Sequence, residues 1–305
     1  MAIGRYAPSP TGDLHVGNLR TAVVAWLRAR ATSSRFVLRV EDLDPASRSG
    51  RFVDSQLADL ESLGLDWDGD TIRQSDRLEH YRVALEELIS AGHTFECFCS
   101  RREIRGATQA NHRAGASGYP GTCRSLGSAE RAKRADSGRP AAIRLAGGGL
   151  EGDFVDRIAG PFAGLVDDIV IRRNDGVPAY NLAVVMDDQF QMVEEVVRGD
   201  DLLASTPAQI RLCELLGFAQ LAYAHVPLVL GPSGERLAKR DGAVSLRELA
   251  ELGHRAPQIL AWIGASLGLC DRDDDVTADD LLHSYSERGA LWSTWTLDSA
   301  DIGGG

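Results

Sequence analysis

Near its start the chain switches between two hydrophobic periods, and that switching leaves few folds open. Ile3 to Tyr6 reads as a short strand. Pro8-Ser9-Pro10-Thr11-Gly12 follows as a loop, since its prolines and glycine cannot continue a helix. From Asn18 a helix is expected, with Leu19, Val23, Trp26 and Leu27 on one face. Phe36 to Val40 is a second strand, running into Glu41-Asp-Leu-Asp-Pro45. A helix carrying Phe52, Gln56, Leu57, Leu60 and Leu63 stops at Gly64. Another, Arg77 to Ala91, is closed by Gly92. Strands alternating with helices of this length predict a parallel α/β sheet.

From about residue 96 to 180 the texture changes: Gly, Arg and Ser rise, and short β-like pieces stand at Ala142–Leu145 and Asp168–Arg172. An insertion with its own small sheet is expected there. The α/β pattern then resumes with a strand at Val193–Arg198, a helix at Pro207–Leu216 and a buried strand at Val226–Leu230. Beyond Arg240 the chain reads as mostly helical, with a capping box at Ser245-Leu-Arg-Glu248 and an apolar face from Pro257 to Leu267. The expected division is therefore 1–95, 96–180, 181–235 and 236–305.

Composition excludes several classes. With 305 residues, 44% of them hydrophobic and 25% charged, the chain can bury a core without disulfides or metals. No apolar run approaches the ~20 residues of a membrane span. The N-terminal segment has neither an apolar h-region nor an arginine-rich amphipathic stretch, so a cytoplasmic protein is expected. A net charge of −11 speaks against nonspecific coating of nucleic acid but leaves room for a local basic groove. Of the 33 basic residues only Lys133 and Lys239 are lysines, so each stands out. The five cysteines are odd in number and fit no disulfide framework.

Four groups of residues carry chemistry. His15, Gly17 and Asn18 sit where the first loop meets the first helix, and a helix start with free N–H groups suits phosphate. Arg236-Leu-Ala-Lys239-Arg240 follows a Gly231-Pro-Ser-Gly234 turn, where a lysine can close over a triphosphate. Arg5, Ser9, Glu41, Tyr180 and Arg198 are each expected at a strand end or just beyond it. One acid and two guanidinium forks there would suit an amino acid bearing an extra carboxylate. Cys97, Cys99 and Cys123 lie close enough in sequence to share a tetrahedral Zn²⁺. Its fourth ligand stays open between His112, the conventional donor, and Tyr119, whose phenol would need the metal to lower its pKa.

Taken together these residues resemble the class I aminoacyl-tRNA synthetases of the glutamyl type. Arg5-Tyr-Ala-Pro-Ser-Pro-Thr-Gly12 is similar to that family's opening segment, His15-Val-Gly-Asn18 to its HIGH signature and Arg236-Leu-Ala-Lys239-Arg240 to its KMSKS signature. Arg39-Val-Glu-Asp-Leu-Asp44, Tyr180-Asn-Leu-Ala183 with Asp187-Asp188, Arg198-Gly-Asp-Asp-Leu-Leu203 and Pro227-Leu-Val-Leu230 fall in family order. Three positions depart from it: Asn18 replaces a histidine, Arg236 the first motif lysine and Ala238 its serine. Only about 65 residues follow Arg240, which is room for a helical stub rather than an anticodon-reading region. That shortness and the Cys-x-Cys…Tyr-x-x-x-Cys pattern resemble the glutamyl-Q tRNA(Asp) synthetases. Val184 and Glu195, where glutamyl-tRNA synthetases carry Asn and usually His, agree.

The resemblance implies a Rossmann-type parallel sheet, an inserted zinc-bearing acceptor-type subdomain and a short C-terminal helical stub. It implies that Arg5 and Arg198, helped by Tyr180, hold the carboxylates of L-glutamate. Tyr6, Ala7, Pro8 and Ser9 would contact it, and Glu41 would take its ammonium group. His15 and Asn18 would face ATP phosphates, Gly17 would lie under adenine, and Lys239 would stabilise leaving pyrophosphate. ATP would bind with Mg²⁺, and one structural Zn²⁺ would be held by Cys97, Cys99, Tyr119 and Cys123. The implied reaction is tRNA-independent formation of glutamyl-adenylate, then transfer of glutamate to queuosine at the wobble position of tRNA(Asp). A monomer with no membrane partner is expected. The competing readings are a short glutamyl-tRNA synthetase charging the 3′ end of tRNA(Glu) and a silent tRNA-binding module. A dinucleotide-dependent oxidoreductase is poorer, because no G-x-G-x-x-G follows the first strand.

Overall fold

The alternation of periods produces alternating elements. The computed structural model describes residues 3–45, 50–110, 118–237, 244–299 and 302. Its first part runs β1 (Ile3–Tyr6), α1 (Val16–Ala31), β2 (Arg35–Val40), α2 (Gly50–Ser62), β3 (Ile72–Arg73) and α3 (Leu78–Ser90). The middle part holds β4 (Thr94–Cys97), α4 (Arg101–Ala110), α5 (Ser128–Ala135), β5 (Ala142–Leu145), β6 (Glu151–Asp156), β7 (Gly160–Leu165) and β8 (Val170–Arg172). Then come α6 (Tyr180–Phe190), β9 (Glu195–Gly199), α7 (Thr206–Leu215), β10 (Ala222–Val226) and β11 (Val229–Leu230). The last part is α8 (Leu246–Glu251), α9 (Ala256–Ser266), α10 (Ala278–Arg288) and β12 (Trp295–Thr296).

Five strands form one parallel sheet in the order β10-β9-β1-β2-β3. β1 is buried along its whole length, including Arg5, the one charged residue in it. Helix α1 is buried over most of its surface, Arg20 included, and it packs between the sheet and the helices α9 and α10. Gly64 and Gly92, read as helix stops, both have φ of 74°, the left-handed region in which glycine has no Cβ to clash. The middle part forms an antiparallel β4-β5-β8 sheet and a β6–β7 hairpin. Ser245 and Glu248 form the expected capping box at the start of α8.

Several elements differ from expectation. Helix α1 starts at Val16 rather than Asn18, because His15 caps it. The single strand expected at Val226–Leu230 is two pieces: β10 ends at Val226, and β11 leaves the main sheet to pair with the two-residue β12. Pro227 has no N–H to continue a ladder. Tyr180 is not at a strand end but is the first residue of α6. The β6–β7 hairpin was not legible, since Gly152, Gly160, Pro161 and Gly164 all depress strand propensity.

A buried charge cluster joins these units. Arg39 on β2 is fully buried and donates to Asp188 of α6 at 2.7 Å. Arg5 on β1 donates Nε to the same Asp188 oxygen at 3.1 Å. Asp187, the neighbouring carboxylate, accepts from Arg77 at 2.6 Å, from Gln74 at 3.0 Å and from the Tyr81 hydroxyl at 2.7 Å. Burial pushes the Asp188 carboxyl up, but Arg39 and Arg5 outweigh it and hold the group below its ordinary value.

Removing one member of such a cluster strands the others. Asp188→Asn is expected to cost about 3 kcal/mol of unfolding free energy near neutral pH. A carboxylate whose folded pKa is depressed contributes fully above its unfolded value, about 4, and loses the contribution as pH falls through the folded value. The gap between native protein and variant in urea unfolding should therefore narrow on acidification.

Candidate active site and thiol cluster

In a parallel sheet the loops beyond the strand C-termini gather at one edge, and ligands bind there. The loop after β1 is fixed by Gln56 of α2, which donates to the carbonyls of Ser9 at 3.2 Å and Gly12 at 2.7 Å. It borders a cleft of about 590 Å³, a size suited to a small ligand. Arg5, Tyr6, Ala7, Pro8, Ser9, Glu41, Tyr180 and Arg198 all line this cleft, as do His15, Gly17 and Asn18. The residues expected at two ligands thus lie along one continuous surface. Lys239, Ala238, Arg240 and His112 lie outside the described residues.

At one end of the cleft the charges are tightly held. Arg5 spends Nη1 on the Val197 carbonyl at 2.9 Å as well as Nε on Asp188. The Glu41 side chain is 7% exposed and 3.4 Å from Arg39. Burial raises its pKa, and the opposing pull of Arg39 and Arg5 does not fully offset this. Arg198 on β9 donates Nε to His225 at 3.1 Å, Nη1 to Gln209 at 2.7 Å and Nη2 to Thr206 at 2.9 Å. Burial also raises the Tyr180 phenol. The Tyr6 hydroxyl donates to the Asn18 carbonyl at 3.2 Å and so ties β1 to the first turn of α1.

The other end is the N-terminus of α1. His15 accepts the Asn18 N–H on Nδ1 at 3.2 Å, and Asn18 Oδ1 accepts the His15 N–H at 3.3 Å. Burial, with Arg236 nearby, lowers the His15 pKa to about 4. At neutral pH the ring is therefore uncharged with its proton on Nε2, a neutral donor rather than a cation. Asn18 has its side-chain oxygen committed to the cap, which leaves its amide N–H groups as donors. Gly17 is needed for space: a Cβ there would meet the His15 ring at 3.0 Å. The backbone of Val244 accepts the Val16 N–H at 2.9 Å, so the described chain just after the Lys239 segment lies against the start of α1. Arg236, just before that segment, pairs with Asp201 at 2.8 Å and lines the cleft.

Two residues read as subfamily markers are outside this chemistry. Glu195 is the first residue of β9, at the opposite end of that strand from the cleft, and its carboxylate accepts from Arg28 at 2.7 Å and Arg157 at 2.8 Å. Val184 is buried in α6. Sequence reasoning missed Gln56 and the Asp156–His225 pair behind Arg198, because no motif contains them. A buried glutamine on an apolar helix face was the one available signal.

The three clustered cysteines meet at the end of β4. Their sulfurs lie within 4.8 Å of one another. The Tyr119 hydroxyl is 3.3 Å from Cys97 Sγ and 3.5 Å from Cys99 Sγ, and Cys99 is 3.5 Å from Cys123. Ligand atoms around a tetrahedral Zn²⁺ stand roughly 3.5–3.8 Å apart, so the set is compatible with that ion. Burial raises the Cys123 thiol, but hydrogen bonds from Tyr119, the Phe98 backbone and Cys99, with Arg134 close by, bring the net shift down. Burial raises Tyr119 instead.

The sheet, the loop–helix junction and the thiol cluster together define a class I aminoacyl-tRNA synthetase. Residues 2–270 match the family described as tRNA synthetases class I (E and Q), catalytic domain. A solved glutamate tRNA ligase from Elizabethkingia meningosepticum, in complex with its amino acid, is similar with a TM-score of 0.81 at 25% identity, over 99% of this chain and 68% of that one. The glutamyl-Q tRNA(Asp) synthetase of Nocardia farcinica is 55% identical over 269 residues, 88% of this chain and 86% of the relative. That of Cutibacterium acnes is 52% identical over 270 residues, 88% of this chain and 76% of the relative. The chain belongs to the glutamyl-Q tRNA(Asp) synthetase family.

Two outcomes are expected. Purified protein should carry about one zinc per chain, and Cys123→Ser should lose most of it by elemental analysis. Gly17→Ala should displace the His15 ring and lower kcat for adenylate formation about tenfold or more, with little change in thermal stability.

Proposed function

We propose that the cleft activates L-glutamate with ATP and Mg²⁺ without tRNA. The glutamyl group then passes to queuosine at the wobble position of tRNA(Asp). One observation carries this reading: the held guanidinium groups of Arg5 and Arg198 and the carboxylate of Glu41 share a single cleft with the N-terminus of α1. That arrangement suits an amino-acid zwitterion with an extra carboxylate beside a chain of phosphates. The acceptor is drawn from the relatives, which are named for glutamyl-Q and tRNA(Asp).

On this reading Glu41 takes the ammonium group, whose positive charge would bring its raised pKa back down. The forks of Arg5 and Arg198 take the carboxylates, with Tyr180 and the 6–9 segment enclosing the side chain. The α-carboxylate attacks the α-phosphorus of ATP in line, and the bond to pyrophosphate breaks. The neutral His15 and the amide of Asn18 donate to phosphate oxygens as charge grows on them. Mg²⁺, when bound, neutralises the phosphates. Lys239 neutralises the leaving pyrophosphate. No protein nucleophile is required, and catalysis rests on placement and charge. Zinc on Cys97, Cys99, Tyr119 and Cys123 is structural, in the 96–180 region that meets RNA. The reaction belongs in the cytoplasm, where its tRNA is.

Labelled glutamate distinguishes the acceptors. With ATP, the protein should label tRNA(Asp) bearing queuosine and leave queuosine-free tRNA(Asp) and tRNA(Glu) unlabelled. Labelling of tRNA(Glu) alone would replace this reading with charging of the 3′ end. Glu41→Ala should lower glutamate-dependent adenylation at least about a hundredfold while ATP still binds.

A further inference from the structure

Arg198 is held by a chain of groups that no part of the activation chemistry requires, and the chain begins in the β6–β7 hairpin. We propose that Asp156 and His225 are positioning residues that aim the Arg198 guanidinium at the substrate carboxylate. This rests on the glutamate reading of the cleft.

The contacts fix which nitrogen of His225 carries the proton. Asp156, the last residue of β6, and His225 on β10 have fully buried side chains. Asp156 Oδ1 accepts three backbone N–H groups, those of Ile158 at 2.9 Å, Ala159 at 2.8 Å and His225 at 3.0 Å. Its other oxygen lies 2.6 Å from His225 Nδ1. Burial opposes ionisation of Asp156, but the His225 contact and the backbone bonds bring its pKa down to about 2. An ionised carboxylate only accepts, so Nδ1 carries the imidazole proton. Burial holds the ring neutral despite Asp156, and Arg198 adds to that shift. Nε2 is therefore bare, and it accepts the Arg198 Nε–H across the paired strands β9 and β10.

Two further contacts complete the grip. Thr206 Oγ1 accepts from Nη2 and lies 3.2 Å from both the Leu202 carbonyl and the bare His225 Nε2, either of which can take its one proton. Gln209 Oε1 accepts from Nη1, and its amide donates to Asn181, next to Tyr180, at 2.9 Å. A guanidinium has five N–H donors. Three are taken, and one on each terminal nitrogen remains for a carboxylate in the cleft. Reversing the His225 tautomer would set a proton on Nε2 against the Arg198 Nε–H and turn the fork.

Asp156→Asn makes that reversal with almost no change of shape. The three N–H groups keep the amide oxygen at the Oδ1 position, so the NH₂ faces Nδ1 and forces Nδ1 to accept. In ATP–pyrophosphate exchange the variant should raise the KM for glutamate about tenfold or more, with the KM for ATP and kcat within about threefold of native. A lowered Tm with an unchanged glutamate KM would make the pair a structural strut and overturn the proposal. Should that variant fail to fold, His225 provides the second comparison. His225→Gln places an amide oxygen near the Nε2 position and should keep most of the glutamate affinity, whereas His225→Asn should not. Equal glutamate KM values in the two would overturn the proposal. Absence of glutamate-dependent exchange in the native protein would remove the reading on which the proposal rests, a result separate from native exchange with an unchanged variant.

Discussion

Asp187 and Asp188, two adjacent buried carboxylates on α6, fix the places of three buried arginines, Arg5, Arg39 and Arg77. Arg5 and Arg39 come from neighbouring strands and share one oxygen of Asp188. Arg77 and Tyr81 come from the start of α3 and share Asp187. None of these groups is stable in the interior alone, since an unpaired buried charge costs several kcal/mol, on the order of the stability of a whole domain. The ends of β1 and β2, the start of α3 and the body of α6 must therefore close together. Their closure leaves Glu41 and Arg5 both lining the cleft, with Arg5 close enough to oppose the burial that raises the Glu41 pKa.

The rest of the cleft follows the same logic of charges held before a ligand arrives. Arg198 is gripped on three sides, and the loop that carries Ser9 is pinned by Gln56. At the α1 end, burial removes charge from His15, and its cap bond leaves Nε2 as the donor. On the proposed reading, a neutral donor suits the stabilisation of charge developing on phosphate without binding the ground state too tightly. Fixed donors and fixed acceptors lose little freedom during a reaction, which is how the proposed chemistry, without a protein nucleophile, would gain rate.

Much of this was legible in sequence because the cleft is built from short contiguous segments. The 5–18 segment holds a strand end, a loop and a helix start in one stretch, and each piece has a local signal. β1 and β5 coincide with the expected strands, and α3 differs from the expected helix by one residue at each end. What was not legible depends on pairing at long range. The hairpin β6–β7 is glycine-rich and gains its order from packing on β10 and α7. Asp156 and His225 are 69 residues apart, and neither belongs to a motif. The break between β10 and β11 needs β12, a two-residue partner too short for any periodicity. Glu195, read as a subfamily marker, is held by arginines at the far end of its strand. Tyr180 was expected at a strand end or just beyond it and instead opens α6.

The central claim is that this cleft recognises free glutamate and joins it to ATP unaided. ATP–pyrophosphate exchange by the zinc-replete protein, with no tRNA present, measures it directly. Exchange that depends on L-glutamate, and is much weaker with L-glutamine or L-aspartate, is the predicted result. Glutamine has no second carboxylate for an arginine fork, and aspartate carries its second carboxylate one methylene closer than glutamate does. Exchange that begins only when tRNA(Glu) is added, or that does not discriminate among the three amino acids, would contradict the account.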